Sequence, residues 1–341
     1  MKKVLTAGEI MLRLQPPGYK RIIQTDSYEA VYGGGEANVA VSLAQFGDNA
    51  EFFTKLPLNP IADACVNTLR GRGVGVGKIV RGGDRMGIYF CEKGYSQRAS
   101  QVIYDRAHSA ISEIEAKDYD AAALLDGVDW LHWTGITPAI SDKAADMVAA
   151  LMKEAKTRGI AVSCDLNFRK KLWSREKANR VMSSLLDGVT YLISNEEDCK
   201  DVFGIEAKGS SIEGGKLSAD GYAEIGRKVL GMFPSMKAVA FTLRESYSAG
   251  RNGWSAILVT ADKVFASKHY DVDIIDRVGG GDSFGAGLIH GLVNGWDEAK
   301  ALEFAVAASC LKHTIEGDFN AVSEDEVLKL MQGDGSGRVQ R

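Results

Sequence analysis

Residues 274–287 read Ile274-Ile275-Asp276-Arg277-Val278-Gly279-Gly280-Gly281-Asp282-Ser283-Phe284-Gly285-Ala286-Gly287. Two isoleucines lead into three consecutive glycines, an acid and a helix-like pattern, which is how a strand hands over to a helix through a tight turn. Glycine lets backbone come close to a ligand. The N–H groups of such a turn, with the positive end of the helix that follows, make an anion site suited to phosphate or to charge on a transferring phosphoryl group. Asp282 then stands either at the lip of that site or as a plain helix cap, a job aspartate does well. The segment alone leaves both open.

Outward from this stretch the strand-then-helix rhythm repeats. Short apolar runs at 4–5, 130–133, 160–164, 191–193 and 238–241 predict buried strands, and longer patterned segments at 141–158, 175–186, 220–233, 283–294 and 297–313 predict helices. Their alternation predicts an α/β fold with a mainly parallel sheet covered by helices on both faces. Two stretches break the rhythm. Residues 12–32 hold a Gln15-Pro16-Pro17-Gly18 turn between extended pieces, and residues 87–106 read as two strands, 88–91 and 101–104, joined through Gly94. Both predict β-excursions that form a small separate sheet, a lid over the site of the main sheet. The expected division is a core of residues 1–11, 33–86 and 107–332, a β-lid of residues 12–32 and 87–106, and a flexible, frayed tail at 333–341.

The 341 residues are 45% hydrophobic and 25% charged, ordinary globular composition with enough apolar side chains for a real core. Forty-one basic against forty-five acidic side chains leave a formal net charge of −4, so no global field recruits nucleic acid or an anionic membrane. An anionic ligand must be held locally. Cys65, Cys91, Cys164, Cys199 and Cys310 show no metal-ligand spacing and are odd in number, which argues against a disulfide framework and predicts small core residues. No apolar run reaches the roughly 18 residues of a membrane span, and the first residues lack a secretory pattern. The expectation is a soluble, cytoplasmic protein.

Several further segments bear on chemistry. Gly33-Gly34-Gly35-Glu36-Ala37-Asn38 has the look of a dinucleotide fingerprint, but Asn38 holds the place of its third glycine and no acid-ended strand follows at the right distance. NAD binding is therefore disfavoured. Asn38 would stand in the first turn of the next helix, within reach of a ligand or simply solvated. The strand at 160–164 continues into Asp165-Leu166-Asn167-Phe168-Arg169, so Asp165, Asn167 and Arg169 are expected on one side at period two, at the strand end where α/β sheets keep ligands. Arg169 could grip a carboxylate or phosphate bidentately, or pair with a nearby acid. Tyr104 and Arg106 alternate on the second excursion with Tyr89 before them, which suits a small hydroxylated anion or plain cross-strand packing. Ser194-Asn195-Glu196-Glu197-Asp198 could hold Mg2+, mostly through water, or only open a helix with negative charge. The histidines lack metal spacing, and there is neither a P-loop lysine signature nor a GxSxG elbow.

Taken together, the glycine turn near residue 35 with its asparagine, the Asn195-Glu196-Glu197-Asp198 cluster and the late Asp276-Arg277-Val278-Gly279-Gly280-Gly281-Asp282 segment resemble the ribokinase-like (phosphofructokinase B) family of carbohydrate kinases. The motifs occur in that family's order, and the resemblance spans nearly the whole chain. Thr6-Ala7-Gly8-Glu9, Ile103-Tyr104-Asp105-Arg106, Gly135-Ile136-Thr137-Pro138-Ala139, Asp165-Leu166-Asn167-Phe168-Arg169-Lys170-Lys171-Leu172-Trp173 and Glu316-Gly317-Asp318, with the residue 33–38 turn, look like the 2-keto-3-deoxygluconate kinases within it.

The resemblance implies a ribokinase-like three-layer α/β/α core with a small β-sheet lid. It implies ATP-dependent phosphorylation of 2-keto-3-deoxygluconate at its terminal (6-) hydroxyl, giving 2-keto-3-deoxy-6-phosphogluconate and ADP. On this footing Asp282 is the general base for that hydroxyl, and Gly279, Gly280 and Gly281 form the anion hole. Gly34, Tyr89, Tyr104, Arg106, Arg169 and Asp318 match substrate contacts, with Asn38 and Asn167 beside them, and the arginines read the carboxylate that ordinary sugars lack. Asn195, Arg244, Gly279 and Gly281 would meet the nucleotide, and Asn195 and Asp198 the Mg2+. The implied cofactors are ATP and Mg2+, with room for a monovalent cation such as K+, and the lid is expected to join a homo-oligomer, a dimer or higher. The partners are thus a small sugar acid and ATP, with no nucleic acid and no membrane.

Three positions depart from the family pattern: Asp198 stands where Glu is usual, Arg277 for a commoner Thr, and Gly280 for a commoner Ala. The segment 243–253 is also longer and less glycine-dominated than the usual nucleotide turn. The rival readings are a kinase of the same family for fructose, ribose or 5-keto-2-deoxygluconate, and a non-catalytic sugar-binding protein on the same scaffold. Arg106 and Arg169 favour an acid, because a neutral sugar offers them no charge.

Overall fold

The structure is a computed structural model that describes residues 2–207 and 219–333. Apart from Gly333, the tail expected at 333–341 lies outside the described residues. A nine-stranded sheet runs in the order Val264–Ala266, Arg251–Thr260, Ala238–Ser248, Tyr191–Ser194, Ala161–Asp165, Trp130–Thr134, Lys3–Ala7, Asn49–Phe53, with Tyr270–Asp273 also pairing Arg251–Thr260. Every pairing from Ala238–Ser248 across to Asn49–Phe53 is parallel, and the strands beyond are antiparallel.

Parallel neighbours require crossover segments, and here these are helices that cover both faces. Alternate side chains of a strand leave on opposite sides. Leu131, Trp133, Leu192, Val239 and Phe241 enter one core, against Met147, Leu151, Met182 and Ile225 of the helices Asp142–Arg158, Arg175–Leu185 and Ala219–Met232. Trp130, Ile193, Ala238 and Ala240 face the other side, against Val39, Leu43, Phe284 and Phe304 of Gly35–Gln45, Gly280–Val293 and Glu298–Lys312. The result is the three-layer ribokinase-like architecture.

Local signals set most helix ends. Ser141 accepts from Ala144 N and opens Asp142–Arg158, and Gly159 closes it in the left-handed conformation (φ 67°). The segment 283–294 is different: its helix begins earlier, at Gly280, with Gly279 (φ 84°) as N-cap and no side-chain cap. Asp282 thus lies inside the first turn, and the reading of it as a plain cap falls.

A small sheet runs Glu29–Gly33, Met11–Gln15, Ile88–Glu92, Gln101–Asp105, with a parallel central pair and antiparallel outer pairs. It takes in Met11 and Gly33, one residue beyond the expected 12–32 excursion at each end. In Met11–Gln15 the buried side is Met11, Arg13 and Gln15, while Leu12 and Leu14 are half-buried. Arg13 has no exposed side-chain surface; it donates to Asp276 Oδ2 at 2.6 Å and to Asp318 Oδ1 at 2.7 Å. A buried guanidinium needs such partners, and both come from the large core, so the pairing ties the small sheet to it. The five cysteines are buried free thiols. No helix among the described residues is long and apolar enough to cross a membrane.

Candidate active site

A cleft of about 420 Å3 opens at the carboxyl ends of the parallel strands, where open α/β sheets gather ligands, with the small sheet as its opposite wall. Asp165 ends one strand, Asn195 follows the next, and Met11, Tyr89 and Tyr104 come from the small sheet. A wider groove of about 1030 Å3 continues from it along Arg169, Asn195, Thr242 and Arg244 to Trp254.

Two helix N-termini contribute to the cleft. Gly35–Gln45 presents Asn38, and Gly280–Val293 presents Gly281 and Asp282. Asp282 Oδ2 accepts from Asn38 Nδ2 at 2.7 Å. Burial pushes the Asp282 carboxyl up to about 6, opposed by the Asn38 hydrogen bond and by the charges of Arg169 and Lys312, while Asp318 adds repulsion. A carboxylate so poised can take a proton from an alcohol close to neutral pH.

The turn before it has the geometry to receive an anion. The first helical bond runs from Ser283 N to Gly279 O at 2.9 Å, so the N–H groups of Gly281 and Asp282 precede the ladder. Nothing lies within 4 Å of where a Gly281 Cβ would point, whereas a Cβ on Gly279 would stand 2.1 Å from Asp318 O. Only glycine allows that φ and that approach. Gly280 behaves otherwise. It is buried, its Cβ position is 2.5 Å from His313 Cε1, and it does not line the cleft.

The sequence profile of the pfkB family carbohydrate kinases matches residues 1–324. The chain belongs to this family. A crystal structure of 2-dehydro-3-deoxygluconokinase from Thermotoga maritima is similar over 98% of this chain and 100% of that one, with 49% identity and a TM-score of 0.94. A 2-dehydro-3-deoxygalactonokinase from Haloferax volcanii is 31% identical over 338 residues, 98% of each chain. A 5-dehydro-2-deoxygluconokinase from Clostridium perfringens is 24% identical over 313 residues, 90% of this chain and 86% of its own.

In this carbohydrate kinase every expected site residue except Gly280 lines the cleft, but their partners differ from expectation. Arg106 is committed: its Nε donates to Glu9 Oε2 at 2.8 Å, its second nitrogen binds the same oxygen, and Ser109 Oγ holds Glu9 Oε1 at 2.6 Å. Glu9 therefore neutralises the guanidinium expected to read a substrate carboxylate. Tyr89 is buried and gives its hydroxyl to Asp318 Oδ2 at 2.5 Å, and Asp318 also receives Arg13, so these two expected contacts satisfy one another in the cleft wall. Asn38 spends its amide on Asp282. Tyr104 is exposed, its hydroxyl makes no hydrogen bond among the described residues, and its ring lies tilted beside Tyr89 at 5.9 Å with Arg106 at 5.3 Å over it. Gly34 fits tightly, a Cβ there reaching within 2.0 Å of Glu9 O.

Asp165, Asn167 and Arg169 share the cleft, though not by continued strand alternation. The strand ends at Asp165, and Asn167 sits at φ 37°, a left-handed kink that asparagine tolerates. Arg169 is exposed and makes no ion pair among the described residues. Arg244 lies within a strand rather than a loop, because Ala238–Ser248 runs on and pairs it with Trp254.

Asn195 caps the helix Glu196–Phe203, accepting from Asp198 N at 2.7 Å while its amide reaches Asp198 Oδ2 at 3.1 Å. Among the described residues no group of three His, Cys, Asp or Glu side chains could hold a metal alone. The donor set nonetheless suits a cation that keeps most of its waters. Burial holds Asp165 well above the ordinary carboxylate range, with the charges of Asp198 and Asp282 adding to it, and burial lifts Asp198 to about 6 against the pull of Arg169. A hydrated Mg2+ on a polyphosphate relieves such crowding of acids.

Four residues that the sequence reading did not single out complete the site. Glu9 and Arg13 hold the expected contacts in place. Glu36 is buried and takes Thr134 N, Thr134 Oγ1 and Thr137 Oγ1 on one oxygen, while burial raises it to about 7. Lys312 lies fully buried behind the glycine turn. Each is a charged residue in an apolar or glycine-rich setting, and local pattern gives no partner for it.

Proposed function

We propose that this kinase transfers the γ-phosphoryl group of ATP to the terminal (6-) hydroxyl of 2-keto-3-deoxygluconate, giving 2-keto-3-deoxy-6-phosphogluconate and ADP. One observation carries the choice of a sugar acid. With Arg106 taken by Glu9, Arg169 is a guanidinium in the cleft wall without an ion-pair partner among the described residues, and a sugar acid supplies the carboxylate it lacks. The relatives named for keto-deoxy sugar acids support the same class.

In this reading Asp282 accepts the hydroxyl proton as the oxygen attacks. The N–H groups of Gly281 and Asp282, with the helix behind them, meet the charge on the transferring group. Asn195 and Asp198 would hold Mg2+, which neutralises phosphate charge when bound, and Arg244 would flank the nucleotide in the wider groove. The small sheet closes the acceptor end as a lid, and the exposed Ile103 of that sheet supports a homodimer through it, to be read by light scattering.

The test is ADP release with 2-keto-3-deoxygluconate, its galacto epimer, 5-keto-2-deoxygluconate, fructose and ribose. The expected result is a clear preference for the 2-keto-3-deoxy acids. Preference for fructose or ribose would overturn the acid reading, and preference for 5-keto-2-deoxygluconate would move the assignment to the activity for which the Clostridium perfringens relative is named.

A further inference from the structure

Lys312, the last residue of the helix Glu298–Lys312, has no exposed surface at all. An ammonium is costly to bury unless something charged compensates it. Its Nζ donates to Ile315 O at 3.1 Å, and no carboxylate oxygen of the described residues comes within ion-pairing distance. The obvious candidates are engaged elsewhere. Asp276 and Asp318 are both bonded to Arg13, Asp276 also takes Val278 N and Gly317 N, and Asp318 takes Tyr89. The side chain passes directly beneath the glycine turn: a Cβ on Gly279 would sit 3.2 Å from Lys312 Cε. The space beyond that turn is the anion site.

We propose that Lys312 is a fixed, buried positive charge that strengthens the phosphoryl-binding turn from behind, acting through the backbone of Gly279–Gly281. It is a positioning residue, since the turn separates it from any ligand. Two cations, Arg13 and Lys312, face two carboxylates, Asp276 and Asp318, so the cluster is neutral at rest and becomes favourable to an anion only where Lys312 is left under-compensated. A charge already in place needs no reorganisation when the phosphoryl group develops negative charge. Asp282 feels it alongside Asn38 from the helix Gly35–Gln45, Asp165 and Arg169 from the neighbouring strand end, and Asp318 from the segment after Lys312. Burial pulls the Lys312 ammonium down, while Asp276, Asp318 and Asp282 hold it up.

This inference rests on the assignment of the turn as the phosphoryl site. Its test is Lys312→Met, which keeps the volume and removes the charge, with Lys312→Arg as the conservative variant. For Lys312→Met the expectation is a kcat about 10- to 100-fold lower with the KM of both substrates nearly kept. The acid limb of the kcat profile should move up by roughly half a pH unit or more, because Asp282 loses a favourable cation. The melting temperature should fall modestly as well, because loss of one cation leaves Asp276 and Asp318 facing Arg13 alone, so the moved limb and not the melting temperature carries the decision. Lys312→Arg should hold the limb at its original pH.

A kcat within about twofold of the parent, or a loss of melting temperature with the limb unmoved, overturns the proposal in favour of a scaffold or of no role. If Lys312→Met does not fold, Lys312→Gln is read by the same measurements, and failure of both to fold again means scaffold. Asp282→Asn, assayed in parallel, separates the levels. Retained turnover there sinks the phosphoryl-site reading itself, whereas collapse there with normal turnover in Lys312→Met sinks only the role of Lys312.

Discussion

Asn38 Nδ2 donates to Asp282 Oδ2 at 2.7 Å across 244 residues of sequence. The bond joins the first turns of two helices whose N-termini meet at one cleft. It does two things to Asp282. It fixes the side-chain direction, and it favours the ionised form that a base needs, against the burial that raises the carboxyl to about 6.

Replacing the base is the first test. Asp282→Asn keeps the shape and can still pair with Asn38 after an amide rotation, so the fold should survive while turnover falls by roughly 10²- to 10⁴-fold. Steady-state ADP release with a sugar acid measures it. Near-parental turnover would remove Asp282 from the chemistry.

The pH dependence follows from the same pair. Asp282 works as the carboxylate, and its folded pKa is raised to about 6, so activity should be full above that value and fall as the pH drops through it. Asn38→Ala removes a hydrogen bond to the charged form, which raises the pKa further, so the acid limb of kcat/KM should shift upward. A limb that stays put would mean that Asn38 only packs.

The two arginines should part company. Arg169→Ala is expected to raise KM by about 10- to 100-fold for carboxylated acceptors and little for neutral ones. Arg106→Ala leaves Glu9 buried with only the Ser109 hydroxyl, and loss of one partner from a buried pair costs about 3–5 kcal/mol. Its signature should be a lower melting temperature in calorimetry. An Arg106→Ala protein of normal stability, impaired only with acids, would restore Arg106 to the substrate.

Gly280 explains itself in three dimensions. An alanine methyl there would meet the His313 ring at 2.5 Å, and small-to-large changes in packed sites cost about 1–3 kcal/mol. Gly280→Ala should lower the melting temperature, and His313→Ala in the same chain should make the second change nearly free. Additive losses in the double-mutant cycle would refute the clash.

Much of the architecture was legible. The apolar runs at 130–133, 191–193 and 238–241 became central strands because strands buried on both faces must be apolar throughout. Ser141 and Gly159 marked helix ends by their own hydrogen bonding and backbone conformation. The cleft residues were legible as types at strand ends and helix starts. Their partners were not. Leucines flank Arg13 on both sides in sequence and nothing local offers it a partner, yet Arg13 faces inward because Asp276 and Asp318 arrive from more than two hundred positions away.

Chain order and periodicity thus determined the parallel α/β sheet, the glycine turn and the acid that follows it, since strand pattern, turn conformation and helix start are all local properties. Only the tertiary structure decided which charges are spent and which remain available. Glu9 consumes Arg106, Arg13 consumes Asp318, and Arg169 and Lys312 are left without carboxylate ion-pair partners among the described residues. Whether a charge is neutralised depends on distance in space, and residues far apart in sequence set that distance.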